Sequence, residues 1–339
     1  MSNQAVTLWI PGLLDHFKPD HQAWWSGSAF QTLLNKADTY PLKPYAFIER
    51  ASQLFHQPKT LSAAATMASV ELADFDPQAF WLKVDPVQMI ADRDTLVLVS
   101  GQDLQITQSE SQSLLDAFNQ HFSEDGVTLE WGANDSWYMR LPQAVDLQTT
   151  DLAQAHYRNL HGLFPSGHAG PYWRTLMNEA QMLFHQHPVN LARREAGQAE
   201  INSVWVWGEG RLNPDSIQAR PQAKVWGSHT YLKGLANLTQ AQIQQSPDSH
   251  QAWCGLNSSE LEAHLIMLDL KQWAASDAGN SVEHLLLQLE KEWMQGLLND
   301  LKQGRIHSLF IDIGGAKGFL VEPSYLRRFW RRWRNPLKS

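Results

Sequence analysis

Residues 187–214 read HPVNLARREAGQAEINSVWVWGEGRLNP. The apolar alternation over 201–207 predicts a strand, which Gly208-Glu209-Gly210 breaks before Arg211 and Pro214. A strand ending in Gly-x-Gly-Arg can turn backbone N–H groups and one guanidinium toward an anion. The same spacing suits a core strand closed by a tight turn, and a short Gly-x-Gly does not separate the two readings. Upstream, Pro188 stops a helix that includes 179–184.

Outward from this stretch, strands and helices alternate. Short or continuous apolar runs predict strands at 6–10, 96–99, 127–131, 265–268 and 306–313. Apolar positions at helical spacing predict helices at 21–35, 60–73, 107–122 and 281–301. The alternation points to an α/β protein with a mostly parallel sheet and helices on both faces.

The chain has 339 residues, enough for a large core or two domains. Hydrophobic residues make up 43% and charged residues 18%, the balance of a globular protein. A formal charge of −8 argues against a broad nucleic-acid-binding surface. The single cysteine, Cys254, excludes an internal disulfide. No apolar run is long enough for a membrane span, and the first residues lack a basic, then apolar, leader pattern. The expected location is the cytoplasm. Fifteen tryptophans are the compositional oddity, and core packing is their simplest use.

Several segments carry a resemblance. They are His187-Pro188-Val189-Asn190 with Arg193, Arg194, Gly197, Asn202, Trp205, Trp207-Gly208, Gly210 and Pro214; Asp85-Pro86-Val87 with Ala91-Asp92-Arg93-Asp94; 178–182; and the arginine-rich 327–332. In this order the chain resembles the archaeal-type cofactor-independent phosphoglycerate mutases of the alkaline-phosphatase superfamily. It resembles more closely a bacterial subgroup, the RPFE-type regulatory proteins. The resemblance implies an alkaline-phosphatase-like α/β core interrupted by a smaller α+β domain. Residues 76–145 differ in texture, with short strands, many acids and several turns. The expected division is a discontinuous core, 1–75 with 166–339, and an insert over 76–165.

The resemblance also implies chemistry. Such mutases use two divalent cations, Mn or Mg, to stabilise both oxygens of an in-line phosphoryl transfer, and a Ser or Thr nucleophile. Their first ligand follows the first strand in an Asp-Gly pair. Here that strand ends in Pro11-Gly12, and the nearest acid is Asp15. The family's Asp-x-x-Gly-His element is matched by Asp277-Ala278-Gly279-Asn280, and its late Asp-His pair by Asp312-Ile313-Gly314. These departures describe a mutase-type fold without its metal site. The expectation is therefore a protein without cofactor that binds a small phosphorylated or carboxylated anion, or a protein partner. Its expected anion residues are Asn190, Arg193, Arg194, Asn202, Glu209 and Arg211. The alternative is an active metal-dependent mutase or phosphohydrolase with Asp15, Asp269, Asp277 and Asp312 as ligands.

Two further features stand apart. His185-Gln186-His187 has the form of a metal pair, but a helix end would not place both rings on one side. Between 327 and 334, five arginines interleave with Phe329, Trp330 and Trp333. Such a segment could bind nucleic acid. Helical spacing instead predicts that the three aromatics dock on the core and the arginines point outward or pair with acids.

Overall fold

The computed structural model describes residues 4–16, 26–43, 46–92, 95–256, 263–270 and 282–331. Chain order begins with β1 (Ala5–Trp9), α1 (Ala29–Lys36), β2 (Asp38–Pro41), α2 (Phe47–Leu54) and α3 (Ala63–Glu71). It continues through β3 (Phe80–Asp92), β4 (Thr95–Ser100), α4 (Gln108–His121), β5 (Leu129–Ala133) and β6 (Ser136–Leu141). Helices α5 (Leu152–Ala155), α6 (Gly170–His185) and α7 (Pro188–Glu195) lead into β7 (Ser203–Gly210). Then come β8 (Ala223–Trp226), α8 (Thr230–Thr239), β9 (Gln242–Gln244), α9 (His250–Leu256) and β10 (Ala263–Met267). A π turn (Glu290–Met294) joins α10 (Val282–Leu289) to α11 (Gln295–Gln303), before β11 (Ser308–Asp312) and β12 (Lys317–Val321). The chain divides into two compact units, 1–45 with 219–339, and 46–218.

The first unit is built on a seven-stranded sheet in the order β2-β12-β11-β1-β10-β8-β9. β11, β1, β10, β8 and β9 run parallel, while β12 and β2 add an antiparallel edge. Register aligns Leu8 with Ile266 and Ile311. These three join a core with Phe30, Leu33 and Leu34 of α1, with Trp293 of the π turn and with Leu297 and Leu301 of α11. Burying side chains of this size contributes about 1.5–3 kcal/mol each. On the other face, Gly227 leaves room for Leu232 of α8 beside Met267. The N-terminus of α1 is capped twice: Ser28 accepts from Gln31 N at 3.0 Å, and Glu290 of the π turn accepts from Ala29 and Phe30 N at 2.8 and 3.0 Å. The expected fold class, a mostly parallel sheet with packed helices, holds.

The second unit is an antiparallel sheet organised by β3. One edge of β3 pairs with β7 from Trp81 to Val87. The other edge is shared: β6 takes 80–83 and β4 takes 87–92. Pro86 falls between them, which is where a strand tolerates a residue without an N–H. Helix α4 opens with a capping box in which Thr107 and Glu110 satisfy each other's backbone N–H groups.

The insert is wider than the expected 76–165. β7 belongs to the same sheet as β3, and α3 and α6 pack on β7, so residues 46–75 and 166–218 fold with the insert rather than the core. The inserted unit is accordingly no smaller than the unit it interrupts.

Candidate functional site

In a parallel sheet, ligands bind at the carboxyl ends of the strands, where turns leave the pleat. Here the three central strands end side by side: Trp9 of β1 aligns with Met267 of β10 and Asp312 of β11. The acids that follow are Asp15, Asp269 and Asp312. Asp15 is exposed on the turn after Gly12, and its N–H donates to Gly12 O at 3.1 Å. Asp269 is half-buried two residues past β10. Asp312 is fully buried, and its Oδ1 accepts from Gly314 N at 2.9 Å. His229 follows β8 at the same edge; its Nδ1 accepts from Tyr231 N at 3.1 Å and so caps α8. Sequence reasoning missed His229, although the Trp226-Gly227 strand end was its signal.

The exits of β1 and β11 are stitched together. Ile10 N donates to Asp312 O at 2.7 Å, and Leu14 N donates to Ile313 O at 3.3 Å. Gly314 has φ +88°, and a Cβ there would lie 2.8 Å from Gly12 N. Only glycine fits that turn.

Asp277 lies outside the described residues. Asp15, Asp269 and Asp312 are not among the His, Cys, Asp and Glu groups that bring three donor atoms within 4.8 Å of one another in the described residues. The position after Asp312 offers Ile313, not an imidazole.

The six expected anion residues do not converge. Asn202 and Arg211 flank opposite ends of β7, and nine residue steps of about 3.3 Å separate them by roughly 25–30 Å. Asn202 extends the β3 ladder: its Oδ1 accepts from Met89 N at 2.7 Å and its Nδ2 donates to Met89 O at 2.9 Å. Asn190 is buried and ties α7 to both neighbours, with Nδ2 donating to Phe184 O and Ile201 O and Oδ1 accepting from Ile201 N, all at 2.8 Å. Arg193 is also buried. Its Nη1 donates to both oxygens of Glu110 at 2.9 Å, its Nε to Ala199 O at 2.6 Å, and its Nη2 to Leu104 O. Arg194 is exposed and pairs with Glu200 at 2.8 Å. Glu209 accepts from both the N–H and the hydroxyl of Thr149. Arg211 is exposed.

The Gly-x-Gly turn is a packing device. A Cβ at Gly208 would lie 2.9 Å from Ala63 Cβ, and one at Gly210 would lie 2.8 Å from Ser62 Cβ. The glycines thus let β7 lie against the start of α3, and Ser62 Oγ donates to Gly208 O at 2.9 Å. His187 of the histidine pair caps α7, with Nδ1 accepting from Val189 N at 3.3 Å.

The inserted sheet holds a buried polar cluster that sequence reasoning also missed. Lys83 Nζ stands 3.1 Å from Asp85 Oδ1, donates to Ser136 Oγ, and lies 4.3 Å from the Tyr138 ring centroid. Asp85 Oδ2 accepts from Trp207 Nε1 at 2.6 Å. Glu71 accepts from Ser136 Oγ at 2.6 Å and Tyr138 Oη at 2.5 Å. Burial pushes the Asp85 carboxyl up to about 6, against the pull of Lys83 and the Trp207 N–H. Burial alone would push the Lys83 ammonium down, but Asp85, Tyr138 and Glu71 outweigh it, so Lys83 stays charged. Alternation put Lys83 and Asp85 on one face of β3; nothing local marked that face as buried.

The arginine-rich segment meets half of the expectation: its arginines pair with an acid, but Phe329 and Trp330 do not dock. Through Arg331 it forms a 3₁₀ helix over Pro323–Arg327 and then a turn at 329–330, not an α-helix. Phe329 and Trp330 are 86% and 65% exposed. Arg328 and Arg331 pair with an acid as expected: Arg328 bonds both oxygens of Asp38 at 2.7 and 3.1 Å, and Arg331 bonds Asp38 and Ala37 O. Trp333 lies outside the described residues, as do Trp24 and Trp25.

No protein-family model matches the chain. It is 22% identical over 202 residues to the 2,3-bisphosphoglycerate-independent phosphoglycerate mutase of Methanosarcina mazei, covering 53% of this chain and 50% of that protein. The mutase of Methanosarcina barkeri is 23% identical over 175 residues, covering 45% and 43%. The chain thus spans about half the length of the curated relatives it matches. A solved cofactor-independent phosphoglycerate mutase from Thermoplasma acidophilum superposes with a TM-score of 0.50 at 13% identity, over 95% of this chain and 90% of that one. The PH0037 protein of Pyrococcus horikoshii superposes with a TM-score of 0.57 at 12% identity, over 95% and 88%. The chain has a phosphoglycerate-mutase-like fold and weak homology to the archaeal mutases. No helix among the described residues is long and apolar enough to cross a membrane.

Proposed function

We propose that this chain is a mutase-fold protein that has lost phosphoryl transfer and acts as a regulatory protein by binding a partner or a small anion. The RPFE-type regulatory resemblance belongs to the same reading, as does a cytoplasmic location. The observation that carries it is the joined exit of β1 and β11. Backbone bonds from Ile10 and Leu14 and the close approach of Gly314 to Gly12 hold these exits together, and Asp312 is followed there by Ile313 rather than by an imidazole. The alternative, an active metal-dependent enzyme, draws on Asp15, Asp269 and Asp312 leaving neighbouring strand ends. Counting bound Mn²⁺ by electron paramagnetic resonance separates the two. Our reading expects less than one tightly held ion, unchanged in Asp312→Asn. Two tightly held ions that Asp312→Asn removes would establish the alternative.

A further inference from the structure

Away from the sheet edge, α9 carries His250 and Cys254 one helical turn apart, so both side chains lie on one face. Asp300 of α11 meets that face. His250 Nε2 stands 2.7 Å from Asp300 Oδ2 and 3.5 Å from Cys254 Sγ. The three donor atoms lie within 4.8 Å of one another, the one such group of three among the described residues. The geometry points to a site for a thiophilic divalent cation, Zn²⁺ in its chemistry, held by His250 Nε2, Cys254 Sγ and Asp300 Oδ2.

The dimensions suit a zinc tetrahedron. Bonds of about 2.3 Å to sulfur and about 2.0–2.1 Å to nitrogen place those two ligands about 3.6 Å apart. Sγ and Nε2 are already at 3.5 Å. The Nε2–Oδ2 contact must open from 2.7 Å to about 3.3 Å as the cation replaces the shared proton. Binding releases the thiol proton to solvent, and the imidazole binds as its Nδ1–H tautomer.

The surroundings are prepared for it. The His250 and Asp300 side chains are 13% and 3% exposed, whereas Cys254 is exposed, so the fourth position opens outward to water. Asp300 keeps its other oxygen on Arg305 Nε at 2.6 Å, the kind of outer bond that orients a ligating carboxylate. Gly296 is required beneath the ring, since a Cβ there would lie 2.2 Å from His250 Nδ1.

The cysteine is unique in the chain, so its spectroscopic signature is unambiguous. The full-length protein, stripped of metal with chelator, should bind one Co²⁺ with a near-ultraviolet thiolate-to-cobalt charge-transfer band. Zn²⁺ should displace the Co²⁺ and raise the melting temperature. Cys254→Ser, a change at an exposed side chain, should abolish the band and weaken Zn²⁺ binding by at least about tenfold. His250→Gln should weaken it similarly. No band in the wild type, or Zn²⁺ affinity unchanged in Cys254→Ser, would overturn the site.

Discussion

Arg328 holds Asp38 through both carboxylate oxygens while its guanidinium carbon lies 3.5 Å from the Tyr325 ring centroid. Arg328 and Arg331 therefore anchor this segment, while Phe329 and Trp330 face outward. The Arg328 bond, with Arg331, draws the Asp38 carboxyl down to about 2. A lowered carboxylate stabilises the anchored state above its ordinary value of 3.8 and loses that contribution as pH falls toward 2. Limited proteolysis should therefore cut near 325–331 faster in Asp38→Asn than in the wild type at neutral pH. Phe329→Ala should cost little, within about 0.5 kcal/mol. A large loss of stability in Phe329→Ala would restore the docked-aromatic picture.

Arg193 and Arg194 are adjacent in sequence and opposite in consequence. Arg193→Ala takes the guanidinium away from Glu110, which keeps Thr107, and from the carbonyls of Leu104 and Ala199, and should cost about 1–3 kcal/mol. Arg194→Ala removes an exposed pair and should cost about 0–1 kcal/mol. Urea denaturation of both variants checks this. Equal effects would contradict the assigned burial.

The Lys83–Asp85 pair predicts a pH dependence of defined sign. The carboxyl of Asp85 is raised from 3.8 to about 6 in the folded protein. Its proton-linked contribution is full below 3.8 and is lost as pH rises through about 6. The stability of the wild type relative to Asp85→Asn should therefore fall between about pH 4 and about pH 7. A flat difference, or one that grows with pH, would refute the assignment. Replacing Lys83 alone with Met strands a buried carboxylate, so the Lys83→Met, Asp85→Asn double variant should be the more stable of the two.

Much of the core was legible because burial on both faces leaves continuous apolar runs. The strands at β1, β10 and β11 and the capped helix α4 fall where pattern places them. β3 was not legible: Pro86 interrupts the run, and only the division of its edge between β6 and β4 explains that proline. The candidate anion residues misled for one physical reason. Asn190, Asn202 and Arg193 carry the donors and acceptors that a ligand would want, and backbone groups of the same chain want them too. Nothing local distinguishes the two uses. The arginine-rich segment misled because its helical period was assumed, and the chain turns instead.

The Gly314 turn offers a structural check on the joined strand exits. Alanine at this position meets both a positive φ of +88° and the Gly12 backbone at 2.8 Å. Gly314→Ala should destabilise by more than about 1 kcal/mol, read as a lower urea midpoint. A neutral substitution would mean that the two exits are free to separate.

The most direct test of the lost-transfer account is turnover itself. The full-length protein, supplied with Mn²⁺ or Mg²⁺, is incubated with 3-phosphoglycerate, and ³¹P nuclear magnetic resonance follows the appearance of 2-phosphoglycerate. The account predicts no signal above the protein-free control. Metal-dependent equilibration of the two isomers, abolished in Asp312→Asn, would contradict it.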